Sequence, residues 1–224
     1  MKGYILNTFF VLSGSLLGVF IGKRISNNVK DAVFNTLGIL TLLIGIKMAI
    51  SSQDVVALAF CIVLGTFLGT SIKIEESVTN VLNKLSSNYF NSKTNLEGFI
   101  VASTLFCVGS MTIIGSVKDG LYNDTILIKT KSVMDGFAAI ILTSKFGISV
   151  IFSALTVFII QGALTIFSQH LTILASTKMM GFIDGIGGMI VIGIALNLLN
   201  IKHIKTLDML PSLVFIVIYG LWLS

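Results

Sequence analysis

Two aspartates in a repeated phrase are the residues of this sequence best suited to chemistry. The phrase Ser-Val-x-Asp-Gly occurs at Ser116–Gly120 and again at Ser132–Gly136. Its carboxylates, Asp119 and Asp135, lie beside apolar segments, where charged groups are costly and therefore usually functional. They could line a polar cavity and bind a cation or a proton. Alternatively, they could cap helix N-termini, with Ser132 as a second capping residue beside Asp135.

Three lysines, Lys118, Lys129 and Lys131, lie between the two aspartates in a polar stretch that is predicted to form a loop over Lys118–Lys131. Their ammonium groups could neutralise the carboxylates as ion pairs, or could attract an anion themselves. Lys131 is the lysine nearest to Asp135, and we include it in the predicted binding set.

Hydroxyl groups recur about once per turn along the apolar run Gly98–Val117, and Ser110 is among them. They could line a permeation path, or they could serve helix packing and bonding to backbone carbonyls. Asn197 is an amide within another apolar run, and it could equally form an interhelical hydrogen bond. The predicted solute-binding or ion-binding residues are Asp119, Asp135, Lys131, Ser110, Ser132 and Asn197.

The composition that surrounds these residues is that of a membrane protein. Hydrophobic residues make up 54% of the 224 positions and charged residues only 11%, whereas soluble domains carry about a quarter charged residues. The apolar runs are continuous and of helical span length, which excludes the short alternating strands of a transmembrane barrel. The sequence therefore predicts an all-α, polytopic helical bundle with about seven or eight spans.

The apolar runs divide the chain into four parts. The predicted parts are a first three-helix unit (1–72), a polar linker that could form an interfacial amphipathic helix (73–97), a central pair of short or broken helices (98–147) and a second three-helix unit (148–224). Within the central part, Val133–Ser144 is short for a span, so it is either extended by its flanks or a half-helix.

A weak internal repeat relates the two three-helix units. Leu43–Met48 resembles Val191–Leu196, and each phrase is followed by a polar segment and one more apolar run. Because two segments separate the units, the second unit begins in the opposite direction to the first. This is the inverted repeat common among secondary transporters, with coincidence of composition as the alternative.

Basic residues indicate the orientation of the chain. They favour an N-terminus and a C-terminus outside the cytoplasm, because cytoplasmic loops of membrane proteins are enriched in Lys and Arg. The net charge of +5 comes from these span ends, so no nucleic-acid partner is expected. The first apolar run, Tyr4–Gly22, follows Met1-Lys2 without a cleavage pattern and is interpreted as a retained span.

Small residues at four-residue spacing predict close helix packing. Gly14, Gly18 and Gly22 form such a stripe, and the pairs Gly65/Gly69 and Gly181/Gly185 repeat the spacing. The packing partner could be in the same chain or in a second copy. We expect a homodimer, because a small transporter often needs a partner to build a cavity.

Several phrases resemble a known family. These are Gly22–Ile25, Leu43–Ile46, Phe106–Met111, Gly115–Gly120, Lys131–Ala139 and Gly193–Leu199. They resemble the uncharacterised bacterial membrane-protein family typified by YdfK and YqgA. The resemblance covers nearly the whole chain and is most specific from Phe106 to Ala139. It implies a small multi-pass protein of the bacterial cytoplasmic membrane, and members are often described only as transport candidates.

The sequence carries no enzyme motif. Cys61 and Cys107 lie in apolar runs without CxxC spacing, and His170 and His203 lie at span ends without metal-ligand spacing. We therefore expect no enzyme, cofactor or metal centre. The expected partners are the lipid bilayer and a small solute or ion. The leading hypothesis is a transporter or channel, and the alternatives are an assembly or regulatory membrane protein and an intramembrane enzyme.

Overall fold

Every regular element of the described chain is helical. The structure, a computed structural model, describes residues 3–22, 24, 26–52, 54–85 and 93–222. Its α-helices are α1 (Gly3–Gly22), α2 (Asn27–Ala49), α3 (Val55–Ser71), α4 (Ile74–Leu85), α5 (Lys93–Cys107), α6 (Ser110–Tyr122), α7 (Ile126–Phe146), α8 (Ser153–Ile166), α9 (Thr177–Leu198) and α10 (Pro211–Trp222). The predicted all-α class is confirmed, and residues 86–92 of the predicted polar linker lie outside the described residues.

Three helical runs in the described chain are long and apolar enough to cross a membrane. They are Gly3–Gly22, Ile126–Ile166 and Thr177–Leu198. Two further pairs of helices, Val55–Ser71 with Ile74–Val81 and Leu96–Cys107 with Met111–Tyr122, are bent by 47° and 54°, which gives up to five spans if each pair counts as one. The predicted number of seven or eight spans is therefore not confirmed by length and composition.

The 41-residue run folds back on itself. Ile128, near its start, lies against Gly3, and the ring of Phe158 lies 5.3 Å from that of the adjacent Tyr4. In one straight helix, residues 128 and 158 would be about 45 Å apart. Helices α7 and α8 are therefore antiparallel, and the 3-10 turn Gly147–Phe152 joins them.

Packing divides the chain into two units that each combine two separate stretches of the sequence. Unit 1 comprises Met1–Phe34 and Leu85–Ala175, and unit 2 comprises Asn35–Lys84 and Ser176–Ser224. The predicted boundaries at 72, 97 and 147 follow the order of the spans along the chain. The two observed units are defined instead by the contacts between helices.

The glycine stripe of α1 lets that helix approach α7 closely in unit 1. Gly14 lies against the backbone of Gly136, and Gly22 lies against Ser144. Since residue numbers rise together on both helices, α1 and α7 run in the same direction. The stripe is thus occupied by a helix of the same chain.

Replacing Gly14 by alanine is expected to destabilise unit 1 by about 1 to 3 kcal/mol. The new methyl group would overlap the Gly136 carbonyl oxygen and would lie 3.2 Å from the Gly136 Cα, and backbone atoms cannot move aside as a flexible side chain can. The matched control is Gly162→Ala, whose methyl group would make an ordinary contact 3.4 Å from the Tyr4 ring. Thermal unfolding of the detergent-purified protein measures both. Equal melting temperatures for the two variants would contradict the expected packing.

Unit 2 packs α3 against α10 in antiparallel orientation. Gly65 lies against Ser212, and Gly69 lies against Asp208. At the other end of α3, Asp54 accepts hydrogen bonds from the backbone N–H of Ala57 at 2.9 Å and from the Tyr219 hydroxyl at 2.8 Å. The Ala57 N–H, followed by the Tyr219 hydroxyl, lowers the pKa of Asp54 below its ordinary value. The Asp54 carboxylate therefore caps the N-terminus of α3 and holds the C-terminal end of α10 beside it.

The remaining helices of unit 2 also pack at glycines. Gly38 of α2 lies against Leu199, just beyond the end of α9, and Gly188 of α9 lies against Ala49, so α2 and α9 are antiparallel. Gly185 packs on Leu58 of α3. All three small-residue stripes are thus occupied within one chain.

Candidate ion-binding site

A buried ion pair lies at the middle of α7. Asp135 is the tenth residue of this 21-residue helix. The Lys131 Nζ donates to both of its carboxylate oxygens, at 2.8 Å to Oδ1 and 2.6 Å to Oδ2. The side chains are only 8% and 9% exposed. A mid-helix position rules out the capping alternative for Asp135, and the predicted ion pairing of Lys131 is observed.

Helix α1 supplies a third member of this cluster. The Asn7 Nδ2 donates to the Asp135 Oδ2 at 3.0 Å, and Asn7 is fully buried. Its Oδ1 has no hydrogen-bond partner among the described residues. Since the amide nitrogen already touches the carboxylate, this free oxygen lies beside Asp135. The close α1–α7 packing makes the contact possible.

Asp119 lies in α6, and α1 brings it near the ion pair. It is fully buried, and its Oδ2 accepts the backbone N–H of Gly3 at 2.9 Å. That N–H belongs to the first turn of α1 and has no acceptor within its own helix. Asp119 therefore caps α1 rather than its own helix. Gly3 and Asn7 are one turn apart in α1. Asp119 and Asp135 therefore contact the same end of α1, at positions about 6 Å apart along its axis.

The other predicted site residues have varied positions. Ser132 donates to the backbone oxygen of Ile128 at 2.6 Å, which is a bond within α7. Ser110 begins α6, and its side chain lies outside the described residues. Asn197 lies in unit 2, where its Nδ2 donates to the Ile204 oxygen at 2.8 Å and its Oδ1 accepts the Ile204 N–H at 2.7 Å. The structure thus gathers Asp119, Asp135 and Lys131 in unit 1 and uses the Asn197 amide to hold a backbone segment.

Helices α5 and α6 follow the same direction as α8. The Ser103 and Thr156 hydroxyls form a hydrogen bond of 3.2 Å between α5 and α8. Further along, Gly120 of α6 lies against Thr165 of α8. Ser116 and Gln161 lie one turn earlier on α6 and α8. They are therefore at the same level along the axes of the two helices.

Ser116 and Gln161 add further polar atoms that the sequence argument left out of the site. Both residues are fully buried, and neither the Ser116 hydroxyl nor the Gln161 amide has a hydrogen-bond partner in the part of the chain that the structure describes. Ser116 shares a helix face with Asp119, three residues on. Gln161 precedes Gly162, which packs on Tyr4 in the first turn of α1. An amide within an apolar run was the sequence signal for both Gln161 and Asn7.

A break between α5 and α6 lies near the ion pair. Gly109 has φ 131° and ψ 152°, and the two helices meet there at the 54° bend. The charges of Lys131 and Asp135 both act on the thiol of Cys107, the last residue of α5. Such a break leaves some backbone N–H and C=O groups without partners in their own helix. The predicted broken helix is thus in the 98–117 run.

The predicted polar loop over Lys118–Lys131 is wrong. Helix α6 continues to Tyr122, and α7 already begins at Ile126, so only a short turn separates them. Asn123 adopts a left-handed conformation with φ 53° in that turn. The charges do not require a loop because Asp119 and Lys131 find partners inside the protein. Of the two alternatives for Val133–Ser144, the structure has the helix extended by its flanks.

Comparison with known proteins shows similarity along nearly the entire chain. An uncharacterized membrane protein of Bacillus subtilis (strain 168), YdfK, is 32% identical over 218 residues, which cover 95% of this chain and 93% of YdfK. An uncharacterized protein of Escherichia coli (strain K12), YqgA, is 24% identical over 217 residues, which cover 94% of this chain and 92% of YqgA. No solved structure matches.

The sequence-based resemblance is confirmed by these relatives, and membrane location agrees with the printed name of the first of them. The family described as "Protein of unknown function (DUF554)" matches residues 2–221. With similarity this continuous, the chain belongs to the DUF554 family of proteins.

Proposed function

We propose that this protein moves a small solute or ion across the bacterial cytoplasmic membrane along a path through the core of unit 1. The observation that carries the proposal is the buried Lys131–Asp135 pair, together with the buried Asn7 and Asp119, in the core that α1, α6 and α7 form. Charges inside a membrane bundle are expensive and typically mark ion pathways. A bundle that served only as an anchor would have no need of them.

The directions of the helices support a larger number of membrane crossings than the lengths of the helices alone indicate. In unit 1, α1 and α7 run one way, whereas the bent α5–α6 pair and α8 run the other way. In unit 2, α3 is antiparallel to α10, and α2 is antiparallel to α9. Eight crossings, with the bent α5–α6 pair as one of them, would produce these alternating directions. With the basic-residue pattern, we place both termini outside the cytoplasm.

The proposed inverted repeat has support of the same kind. It makes α1 equivalent to α8, α2 to α9 and α3 to α10. Each of these three pairs packs antiparallel within its own unit, as helices related by an axis in the membrane plane would do. A homodimer remains part of the proposal, although its interface would use surfaces other than the three glycine stripes.

Flux through reconstituted proteoliposomes tests the proposal. Wild-type protein is expected to dissipate an imposed gradient of Na⁺, K⁺, H⁺ or Cl⁻. The Asp135→Asn substitution is expected to reduce that flux at least about tenfold, which is the scale of one lost charge interaction. The matched control is Asp31→Asn, which removes the carboxylate of the Asp31–Lys145 pair, whose Asp31 side chain is 56% exposed. Circular dichroism checks that each variant is folded.

Two outcomes would overturn the proposal. One is a folded wild-type protein that moves none of these ions, which would favour the assembly or regulatory alternative. The other is an Asp135→Asn variant that is folded and transports as fast as Asp31→Asn.

A further inference from the structure

We infer that unit 2 binds one anionic phospholipid, with an acyl chain in an apolar groove between α3 and α10 and the phosphate group beside Lys73 and Lys205. All residues of this site belong to unit 2. The inference goes beyond the proposed function, because it assigns a lipid ligand rather than a transported solute. Lipid binding can be measured at equilibrium, without any flux.

An apolar groove lies where α3 ends and α10 begins. Its volume is about 390 Å³, which falls within the range of about 300 to 1,000 Å³ that is typical of ligand pockets. The residues that line it are apolar, among them Leu68, Ile72, Ile74, Leu210, Val214 and Phe215. Ile72 and Val214 are exposed, so the groove is open to the surrounding lipid. Such a lining suits the methylene chain of a lipid and disfavours a hydrated solute.

Hydrogen bonds hold the two walls of the groove together at its polar end. The chain turns from α3 into α4 at Lys73, which has φ 55°, and the two helices meet at the 47° bend. The Asp208 Oδ1 accepts the backbone N–H of Glu75 at 2.9 Å, and the Glu75 Oε2 accepts the backbone N–H of Leu207 at 3.3 Å. These reciprocal bonds join the start of α4 to the turn before α10. The groove is therefore preformed, which lowers the entropy cost of binding.

Two ammonium groups share one exposed carboxylate at this end of the groove. The Lys73 Nζ lies 3.3 Å from the Glu76 Oε2, and the Lys205 Nζ lies 3.2 Å from the Glu76 Oε1. The two lysine side chains are 68% and 49% exposed, so both can reach a headgroup. The nearby carboxylates of Glu75 and Asp208 instead accept backbone N–H groups, and Asp208 is buried. The exposed charges of Lys73, Lys205 and Glu76 thus leave one positive charge for an added anion.

The position of Lys73 connects this charged end to the groove. Its two neighbours in the sequence, Ile72 and Ile74, both line the groove. A lipid whose acyl chain fills the groove therefore brings its phosphate group to the level of Lys73 and Lys205.

The charges favour an anionic headgroup over a zwitterionic one. A choline or ethanolamine headgroup would add a third cation beside Lys73 and Lys205, whereas a glycerol headgroup adds no charge. Lys202 and His203 are also exposed just before Lys205 and add basic character. Under the proposed orientation this end of α3 faces the cytoplasm, and the cytoplasmic leaflet has the negative surface potential that attracts basic side chains.

Native mass spectrometry of the full-length protein tests the inference. Delipidated protein in detergent is mixed with phosphatidylglycerol, phosphatidylethanolamine or phosphatidylcholine, all with the same palmitoyl and oleoyl chains. The wild type is expected to retain one phosphatidylglycerol molecule. Its preference over the other two lipids should be at least about tenfold, the scale of two lysine contacts at a charged membrane surface. This comparison needs no substitution, so it does not depend on the folding of a variant.

Substitution of the two lysines tests the headgroup contacts. The combined change of Lys73→Gln and Lys205→Gln is expected to abolish the preference for phosphatidylglycerol, whereas arginine at both positions should keep it, because arginine also binds phosphate. The matched control is Lys129→Gln with Lys178→Gln, which removes the same charge from two exposed lysines that do not flank the groove. This control should bind as the wild type does.

A bulky residue in the groove tests the acyl-chain contacts. Val214→Trp is expected to fill the groove and to prevent retention of all three lipids. The control is Ile218→Trp, one turn further along α10, where the side chain is 56% exposed and does not line the groove. Thermal unfolding checks that each variant is folded.

The wild-type result can overturn the inference in three ways: no lipid is retained, the three lipids are retained equally, or a zwitterionic lipid is preferred. A folded double glutamine variant of Lys73 and Lys205 that keeps the preference would also overturn it. So would a folded Val214→Trp variant that retains phosphatidylglycerol as Ile218→Trp does. Selective retention by a protein that shows no flux would support the lipid site and count against the transport proposal, and flux without lipid retention would do the reverse.

Discussion

Asp135→Leu is expected to destabilise unit 1 by about 3 to 5 kcal/mol, because it leaves the Lys131 ammonium buried without a counter-ion. The double replacement of Lys131 by methionine and Asp135 by leucine is expected to recover most of that loss. Both side chains of the pair are nearly inaccessible, so apolar residues of similar volume fit the surroundings better than one isolated charge. The double variant should nevertheless lack flux.

Denaturant titration in mixed micelles, applied to the wild type, both single variants and the double variant, measures the coupling between the two residues. A matched double-mutant cycle on the Asp31–Lys145 pair provides the control. The Asp31 side chain is 56% exposed. The Asp31–Lys145 pair is therefore expected to contribute less than about 1 kcal/mol to the free energy of unfolding. Additive losses at Lys131 and Asp135 would contradict the buried pair described above.

Gly109→Ala is expected to reduce flux at least tenfold and to destabilise the protein by about 1 to 3 kcal/mol. With φ 131° and ψ 152°, Gly109 occupies a backbone region that is essentially restricted to glycine. A methyl group there would force the break between α5 and α6 to change shape. The end of α5, where the Cys107 thiol experiences the charges of the ion pair, would move with it.

Gly115→Ala in α6 is the control for this change. Its methyl group would make an ordinary contact, 3.4 Å from Ile128, in regular helix. Flux assays and thermal unfolding compare the two variants in the same liposomes and detergent. If Gly109→Ala melts and transports like Gly115→Ala, the break has no special role.

The helical class and the choice of the two aspartates as candidate residues followed from the sequence because both depend on local, one-dimensional signals. Long uncharged runs predict helices, and carboxylates beside such runs predict function, whatever their partners are. The glycine stripe likewise predicted close packing. None of these signals identifies which helix is the neighbour, so the parallel contact between α1 and α7 could not be anticipated.

The geometry of the site depended on contacts that are distant in sequence. Asp135 bonds to Asn7 across 128 positions, and Asp119 bonds to Gly3 across 116 positions. Without these partners, the charges between residues 118 and 131 indicate a solvated loop, although they lie largely on helices. The spacing of Lys131 and Asp135, four residues apart, was the available signal for a helical ion pair. The break at Gly109 had no such signal, because one glycine in an apolar run does not specify a positive φ.

The pairing of α1 with α7 has a consequence for biosynthesis. At about 5 to 20 residues per second, the ribosome needs about 6 to 25 s to make the residues that separate Asn7 from its acceptor on Asp135. During that interval the first helix waits in the lipid with its amide lacking this acceptor and with its glycine groove unfilled. Newly made copies of this chain therefore pass through a stage in which α1 has neither its packing partner α7 nor the hydrogen-bond acceptor of Asn7.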